Sequence, residues 1–391
     1  MNNIKPPVWG TLTGIRPCKK IEKAIESGKS ITEAIEILIH EYKVSPDRAK
    51  LSADVAVKTI SLKRALEPNC ISLYLGIPFC PTRCTYCSFI SNSVEKALKL
   101  IEPYVELLLY EIKETAKVVK ELDLNVISIY IGGGTPTVLS AVDLEKIMAE
   151  IKSSFDLSKL VEYTVEAGRP DTITIEKLKI IKKHDANRIC INPQSMSIDV
   201  LNTIGRKHTP EDVFNTVALA RDVGLTLNMD LIAGLPGDTP KNFNNSLNTI
   251  LSFKPENITI HTLSLKKGTK IMLEDTSRPG ASDVEKMLTY ASKNLYKNDY
   301  FPYYLYRQKY TSGNFENIGW SKTGFEGLYN KLMMDEISSV FAMGAGGVTK
   351  LVLPNDRIER IFNFKYPREY ILHKTRIIDK IDKIKELYKG V

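Results

Sequence analysis

The sequence predicts an α/β fold: a parallel sheet covered by helices, with a helical segment before it and an α+β region after it. Three observations predict it. Between residues 71 and 264, six short apolar runs alternate with amphipathic stretches, the pattern of strands joined by crossover helices. Before residue 70 the apolar period is helical throughout. Each unusual word of the sequence also falls just past an expected strand, where parallel sheets present ligands.

The elements follow in order. Residues 1–70 read as a helical N-terminal appendage. Ser30-Ile-Thr-Glu33 is a capping-box pattern that opens a run with Ile31, Ala34, Ile35, Leu38 and Ile39 on one face. Ser45-Pro46-Asp47 starts a second helix that reaches about Leu66. Residues 71–275 hold the expected strands, at 71–76, 126–131, 161–166, 187–191, 225–231 and 257–264. Helices are expected near 94–121, 141–153, 173–184, 211–222 and 240–252. Residues 276–391 begin with a helix near 283–297. A hairpin-like region from Tyr300-Phe-Pro-Tyr-Tyr-Leu-Tyr306 to Gly344-Ala-Gly-Gly347 and a terminal helical segment complete it.

Composition narrows the function classes. The 391 residues are 43% hydrophobic, ordinary for a chain with a real core. No apolar run approaches the ~18 residues that span a bilayer. The opening Met1-Asn-Asn-Ile-Lys-Pro-Pro has no apolar stretch of the signal-peptide kind. The net charge of +8 is spread along the chain and mixed with acids, as solvated helix faces require, so no nucleic-acid partner is expected. Six cysteines in a chain of this size do not make a disulfide framework. Free thiolates need a reducing compartment, and the expected location is the cytoplasm.

Three of those cysteines carry the chemistry. Cys80, Cys84 and Cys87 stand in Gly76-Ile-Pro-Phe-Cys-Pro-Thr-Arg-Cys-Thr-Tyr-Cys-Ser88, a C-x3-C-x2-C spacing with no fourth cysteine nearby. An iron–sulfur cube takes one thiolate per iron, so three ligands would leave one iron open to a non-protein group. Structural zinc closes its tetrahedron with a second ligand pair, and no second C-x-x-C or His pair occurs here. A second weak signal, Gly132-Gly133-Gly134 after a strand, exposes backbone groups to a close ligand.

The cysteine loop resembles the cluster motif of radical S-adenosylmethionine (SAM) enzymes. Tyr74-Leu-Gly-Ile-Pro-Phe-Cys80, Gly132-Gly-Gly-Thr-Pro-Thr137 and Asp230-Leu-Ile-Ala-Gly-Leu-Pro-Gly237 are similar to the oxygen-independent coproporphyrinogen III oxidase family. Val165-Glu-Ala-Gly-Arg-Pro-Asp171 and Trp9-Gly-Thr-Leu-Thr-Gly-Ile-Arg-Pro17 resemble its HemZ-type coproporphyrinogen dehydrogenases. The resemblance implies a partial (β/α)6 radical SAM barrel over 71–275 and a substrate-side region over 276–391. It implies a [4Fe–4S] cluster on Cys80, Cys84 and Cys87, with SAM on the open iron. Gly133, Gly134 and Thr135 would hold the SAM amino group, and Tyr86 would face the adenine. Tyr74, Glu166, Gln194, Arg206 and Asp230 match further positions that contact SAM, in one molecule or two.

The implied reaction is oxidative decarboxylation of coproporphyrinogen III propionates to vinyls through a 5′-deoxyadenosyl radical, with reduced ferredoxin or flavodoxin as electron donor. No catalytic side chain beyond the cluster is assignable. Arg16, Arg169 and Arg307 are candidate partners for the propionates of a tetrapyrrole-like substrate, and His261 is a candidate to face the barrel. Two positions depart from the family: Gly76 replaces its usual His before Ile-Pro-Phe-Cys, and Ser88 replaces a further cysteine. The alternatives are a radical SAM methyltransferase or ring-forming enzyme, and a HemW-like haem chaperone.

Overall fold

The computed structural model describes residues 7–87, 92–266, 269–273, 277–308, 310–355 and 357–389; Ser88 and the expected boundary at 275–276 lie outside them. In chain order the strands are β1 (Cys70–Ile77), β2 (Phe79–Cys80), β3 (Asn92–Ser93), β4 (Asn125–Gly133), β5 (Glu162–Glu166) and β6 (Arg188–Gln194). Then come β7 (Thr226–Ala233), β8 (Asn257–Thr262), β9 (Phe301–Arg307), β10 (Glu316–Ser321), β11 (Ser339–Met343), β12 (Val348–Leu353) and β13 (Arg357–Phe362). The six expected strands correspond to β1 and β4 to β8. The helices between them are Val94–Glu121, Ala141–Ser154, Ile175–Lys183, Pro210–Asp222 and Pro240–Ser252.

Local sequence explains where those helices start. Ser140, Thr174, Thr209 and Thr239 each accept a hydrogen bond from the backbone N–H three residues on, satisfying a donor that the first turn leaves open. Pro210 and Pro240 follow two of these caps, at the position where a missing N–H costs nothing. The expected capping box forms as well: Ser30 N donates to Glu33 Oε2 at 2.7 Å, and Glu33 N donates to Ser30 Oγ at 3.2 Å. The strands bury both faces. Leu73, Leu75, Ile77, Ile129, Ile131, Val165, Ile189 and Ile191 are fully buried on one face, and Ser72, Ser128, Thr164 and Asn192 are buried on the other, which is polar.

The chain groups into two compact units, each assembled from separated segments. One comprises Glu67–Pro193, Ile204–Met229 and Glu336–Val391. Its strand order is β13-β12-β11-β1-β4-β5-β6-β7, with β1, β4, β5 and β6 parallel and β11 parallel to β1. Register carries β1 and β4 to the same end, with Gly76 opposite Gly132 and Ile77 opposite Gly133. The strand order is open, and no pairing among the described residues closes it into a full barrel.

The other unit comprises Met1–Leu66, Gln194–Thr203 and Asp230–Asp335. It orders β8-β10-β9 with both pairs antiparallel, so the expected hairpin-like region from Tyr300 to Gly347 begins with β9 against β10. The N-terminal helices Cys18–Glu26, Ile31–His40 and Pro46–Ala65 belong to this unit. Arg48 Nε lies 2.8 Å from Glu316 Oε1, and Trp9 Nε1 donates to Glu316 Oε2 at 2.7 Å, all buried.

One expectation changes. The chain beyond Gly347 does not pass straight into a terminal helix; β12 and β13 first form an antiparallel hairpin. Along β12, half-buried and buried residues alternate from Val348 to Leu353, the period-two signature of a strand. The terminal helix follows as Pro367–Leu372 and Thr375–Lys389. No helix among the described residues is long and apolar enough to cross a membrane.

Candidate functional site

The site is assembled in the unit that contains β1. Cys80 closes β2, Cys84 is buried, and Cys80 and Cys87 are half-buried. A tight turn joins the last two, with Cys87 N donating to Cys84 O at 3.1 Å. Thr85 N donates to Ile204 O at 3.0 Å, fastening the loop from below.

The glycine turn after β4 is zipped onto this loop. Gly134 N donates to Ile77 O at 2.7 Å, and Thr135 N donates to Phe79 O at 2.8 Å. Cys80 Sγ and Thr135 Oγ1 are 3.3 Å apart. A Cβ on Gly134 would stand 2.4 Å from Phe79 O, so only glycine permits this approach. A Cβ on Gly132 would stand 2.8 Å from Glu166 Oε2, which places the carboxylate at the end of β5 directly against the turn. Gly133, at φ +106°, pairs with Ile77 across the strands.

Aromatic and basic side chains surround the turn. Tyr74 stacks on Tyr130 with ring centroids 6.3 Å apart. Burial, with the Glu166 charge second, pushes the Tyr74 phenol above its ordinary range, so it stays protonated as a donor. Burial does the same to Tyr86, whose hydroxyl accepts from Arg206 Nη2 at 3.2 Å. Arg206 is itself buried and donates through Nη1 to Asn192 O at 2.6 Å and Gly168 O at 3.0 Å. It ties the end of β6 to the segment after β5.

Cys80, Cys84, Cys87, Tyr74, Tyr86, Gly133, Gly134, Thr135, Glu166 and Arg206 therefore fall in one compact unit. Gln194 and Asp230 belong to the other. Gln194 closes β6 with φ +67° and is buried with Oε1 lacking a hydrogen-bond partner. Asp230 lies in β7 with Oδ2 at 3.6 Å from His261 Nε2.

Three residues enter that sequence reasoning placed elsewhere or left aside. Arg169 is buried and already committed, to Asp171 and to the cysteine loop, so the structure does not leave it for a propionate. Arg307 is likewise engaged, donating to Leu12 O at 2.7 Å and lying over the Trp9 ring. His208 is buried, with neither ring nitrogen hydrogen-bonded. Burial, with Arg206 and Arg169 next, holds it neutral with a pKa near 4, down to about 4 from 6.5. A lone histidine two residues past Arg206 carries no spacing signal that would have marked it.

Gly76 also has a local reason. Its carbonyl accepts from the buried Tyr104 hydroxyl, and a Cβ on it would approach Ala345 O to 3.0 Å. Among the described residues, no three His, Cys, Asp or Glu side chains converge on a point for a single metal ion.

Comparison with known proteins places this architecture. The model of the radical SAM superfamily matches residues 74–250. The chain is 38% identical over 371 residues to the oxygen-independent coproporphyrinogen-III oxidase-like protein HemZ of Bacillus subtilis (strain 168), covering 93% of this chain and 74% of that one. It is 27% identical over 332 residues to the heme chaperone HemW of Buchnera aphidicola subsp. Schizaphis graminum, covering 82% of this chain and 84% of that one. Among solved structures, the coproporphyrinogen III oxidase HemN of Escherichia coli superposes with a TM-score of 0.64 at 20% identity, over 81% of this chain and 71% of that one. The likeness to HemN is one of fold, and it identifies the open α/β sheet as a partial barrel of the radical SAM kind.

Proposed function

We propose a function for this chain from the family to which it belongs, the radical SAM superfamily and, within it, the oxygen-independent coproporphyrinogen III oxidase family. Its reaction is the oxidative decarboxylation of coproporphyrinogen III propionates to vinyls, a step of haem and porphyrin biosynthesis. The family's [4Fe–4S] cluster and SAM are its cofactors. When bound, they supply a carbon radical able to take a hydrogen atom from an unactivated position. The observation that carries the reading is the glycine turn zipped onto the C-x3-C-x2-C loop, with Cys80 and Thr135 in contact.

The chain's own residues then have these parts. Cys80, Cys84 and Cys87 would hold the cluster, three thiolates that would leave one iron open to SAM. Gly133, Gly134 and Thr135 present backbone and hydroxyl groups to the amino group, and Glu166 adds a negative charge beside them. Tyr86 offers a ring face to adenine, and Tyr74 a protonated hydroxyl to the nucleotide. Gln194, Arg206 and Asp230 match further positions that contact SAM in the family, in one molecule or two.

Buried polar atoms without partners support a polar ligand in each unit: Asn192 Oδ1 and Arg206 Nε in one, Gln194 Oε1 in the other. An orphaned buried polar atom costs about 1–3 kcal/mol, which a bound ligand would recover. The substrate is tetrapyrrole-like, the electron donor is a reduced ferredoxin or flavodoxin, and the reducing cytoplasm suits the free thiolates.

Anaerobically reconstituted protein with SAM, reductant and coproporphyrinogen III tests this. Formation of 5′-deoxyadenosine together with loss of carbon dioxide from the tetrapyrrole is the expected result. Absence of both rejects the reading. A second reading, haem chaperone, is favoured by the likeness to HemW over 82% of the chain. It requires one-to-one haem binding with little SAM turnover, which the same preparation can report.

A further inference from the structure

We propose that Arg169 is a positioning residue for the iron–sulfur cluster: its buried guanidinium fixes the Thr82–Cys84 turn and raises the cluster's reduction potential through Cys84. The inference rests on the assignment of Cys80, Cys84 and Cys87 as cluster ligands. Arg169 lies three residues past Glu166, in the segment leaving β5, and is only 2% exposed. Two of its nitrogens, Nε and Nη2, fork onto the Asp171 carboxylate at 3.0 Å each. That fork orients the third, Nη1, onto the cysteine loop. Nη1 donates to Thr82 Oγ1 at 3.0 Å and lies 3.9 Å from Cys84 Sγ. Thr82 Oγ1 in turn reaches Gly205 O at 3.5 Å, so the turn is held from two sides.

The electrostatic consequence has a definite sign. A cube with thiolate ligands gains one negative charge on reduction, and a cation beside a ligand sulfur stabilises that state. Burial of both partners keeps water from screening the effect, since Cys84 is 8% exposed. Lysine could bring the charge but not the fork, because only a guanidinium satisfies a carboxylate and the loop at once. Asp171 neutralises part of the same charge, and the buried Arg206, which also interacts with Cys84, contributes a constant positive background in every variant. Groups around a metal's ligands tune its affinity and potential in this way.

The test is the midpoint potential of the loaded cluster, measured by a titration followed by electron paramagnetic resonance, with iron and sulfide counted per chain. Arg169→Gln should shift the midpoint to more negative values, and Arg169→Lys should recover part of the shift. Asp171→Asn should shift it the opposite way, because the remaining guanidinium is no longer neutralised. General loosening of the loop would not produce opposite signs. Equal midpoints among loaded variants, or the same direction for Arg169→Gln and Asp171→Asn, would overturn the proposal. If Arg169→Gln does not load, the Asp171→Asn measurement decides. A wild-type chain that binds no cube refutes the cysteine assignment itself and takes this inference with it, a result distinct from unchanged potentials.

Discussion

At the residue scale, Gly134 is the most tightly constrained glycine of the turn. Its missing Cβ is what lets the turn lie against Phe79 O, and backbone cannot yield as a side chain does. Gly134→Ala should therefore destabilise the protein by about 1–3 kcal/mol, the usual cost of overpacking. It should also weaken SAM binding. Thermal unfolding and SAM equilibrium binding check the two effects, and an unchanged melting temperature would show that the loop gives way freely.

Asp238 makes a second residue-scale expectation. It is buried, accepts from Thr239 N at 2.8 Å through Oδ1, and leaves Oδ2 without a partner. Burial pushes its carboxyl up to about 6 from 3.8. A raised carboxyl binds its proton more tightly in the folded state. Its contribution to stability is thus full below pH 3.8 and is lost as the pH climbs through about 6. Asp238→Asn should flatten that decline and stabilise the protein at pH 7, by up to about 3 kcal/mol. Denaturant midpoints at pH 4 and pH 7 measure it: the gain should appear at pH 7 and shrink at pH 4.

At the element scale, one buried carboxylate joins four segments. Glu111, in the helix Val94–Glu121 that follows the cysteine loop, is fully buried. It accepts from Gly344 N at 2.7 Å, Asn363 Nδ2 at 2.9 Å and Tyr370 OH at 2.6 Å, and pairs with the buried Lys380. Beside it, Tyr104 on the same helix donates to Gly76 O and accepts from Ala345 N at 3.0 Å. Removing one member of a buried pair leaves its partner uncompensated, at roughly 3–5 kcal/mol. Glu111→Ala should lose about that much in chemical denaturation. Double replacement, Glu111→Leu with Lys380→Met, should recover only the part due to the stranded ammonium, since Gly344 N, Asn363 Nδ2 and Tyr370 OH still lose their acceptor.

At the scale of the whole molecule, sequence order and compact units do not coincide. The unit that carries the cysteine loop is completed by Glu336–Val391, which supplies β11 against β1 and all four partners of Glu111. Deleting residues 336–391 would expose the edge of β1 along Ile71–Leu75 and strand a buried carboxylate. The shortened chain should fail to accumulate as a folded, iron-loaded protein. Iron per chain and size-exclusion chromatography decide it, and normal loading would show that this unit does not need its last segment.

Much of this was legible in the residues, and the reason is physical. The strand face packed under the helices must be apolar at alternate positions and the helices must be capped, so β1, β4 to β8 and the helices after Ser140, Thr174, Thr209 and Thr239 are written locally. The cysteine spacing and the glycine triplet are local too, and with them the family. What only the tertiary structure decided depends on partners distant in sequence. The C-terminal strand β11 returns to pair with β1 although hundreds of residues separate them in the chain. Arg169 looks like a free cation in the sequence, yet the fold commits it to Asp171 and the Thr82 turn. His208 is kept neutral by burial and by two guanidiniums that no spacing rule could bring to it. Local patterns record which residues must be apolar, capped or flexible; which charges meet is settled only when the chain closes on itself.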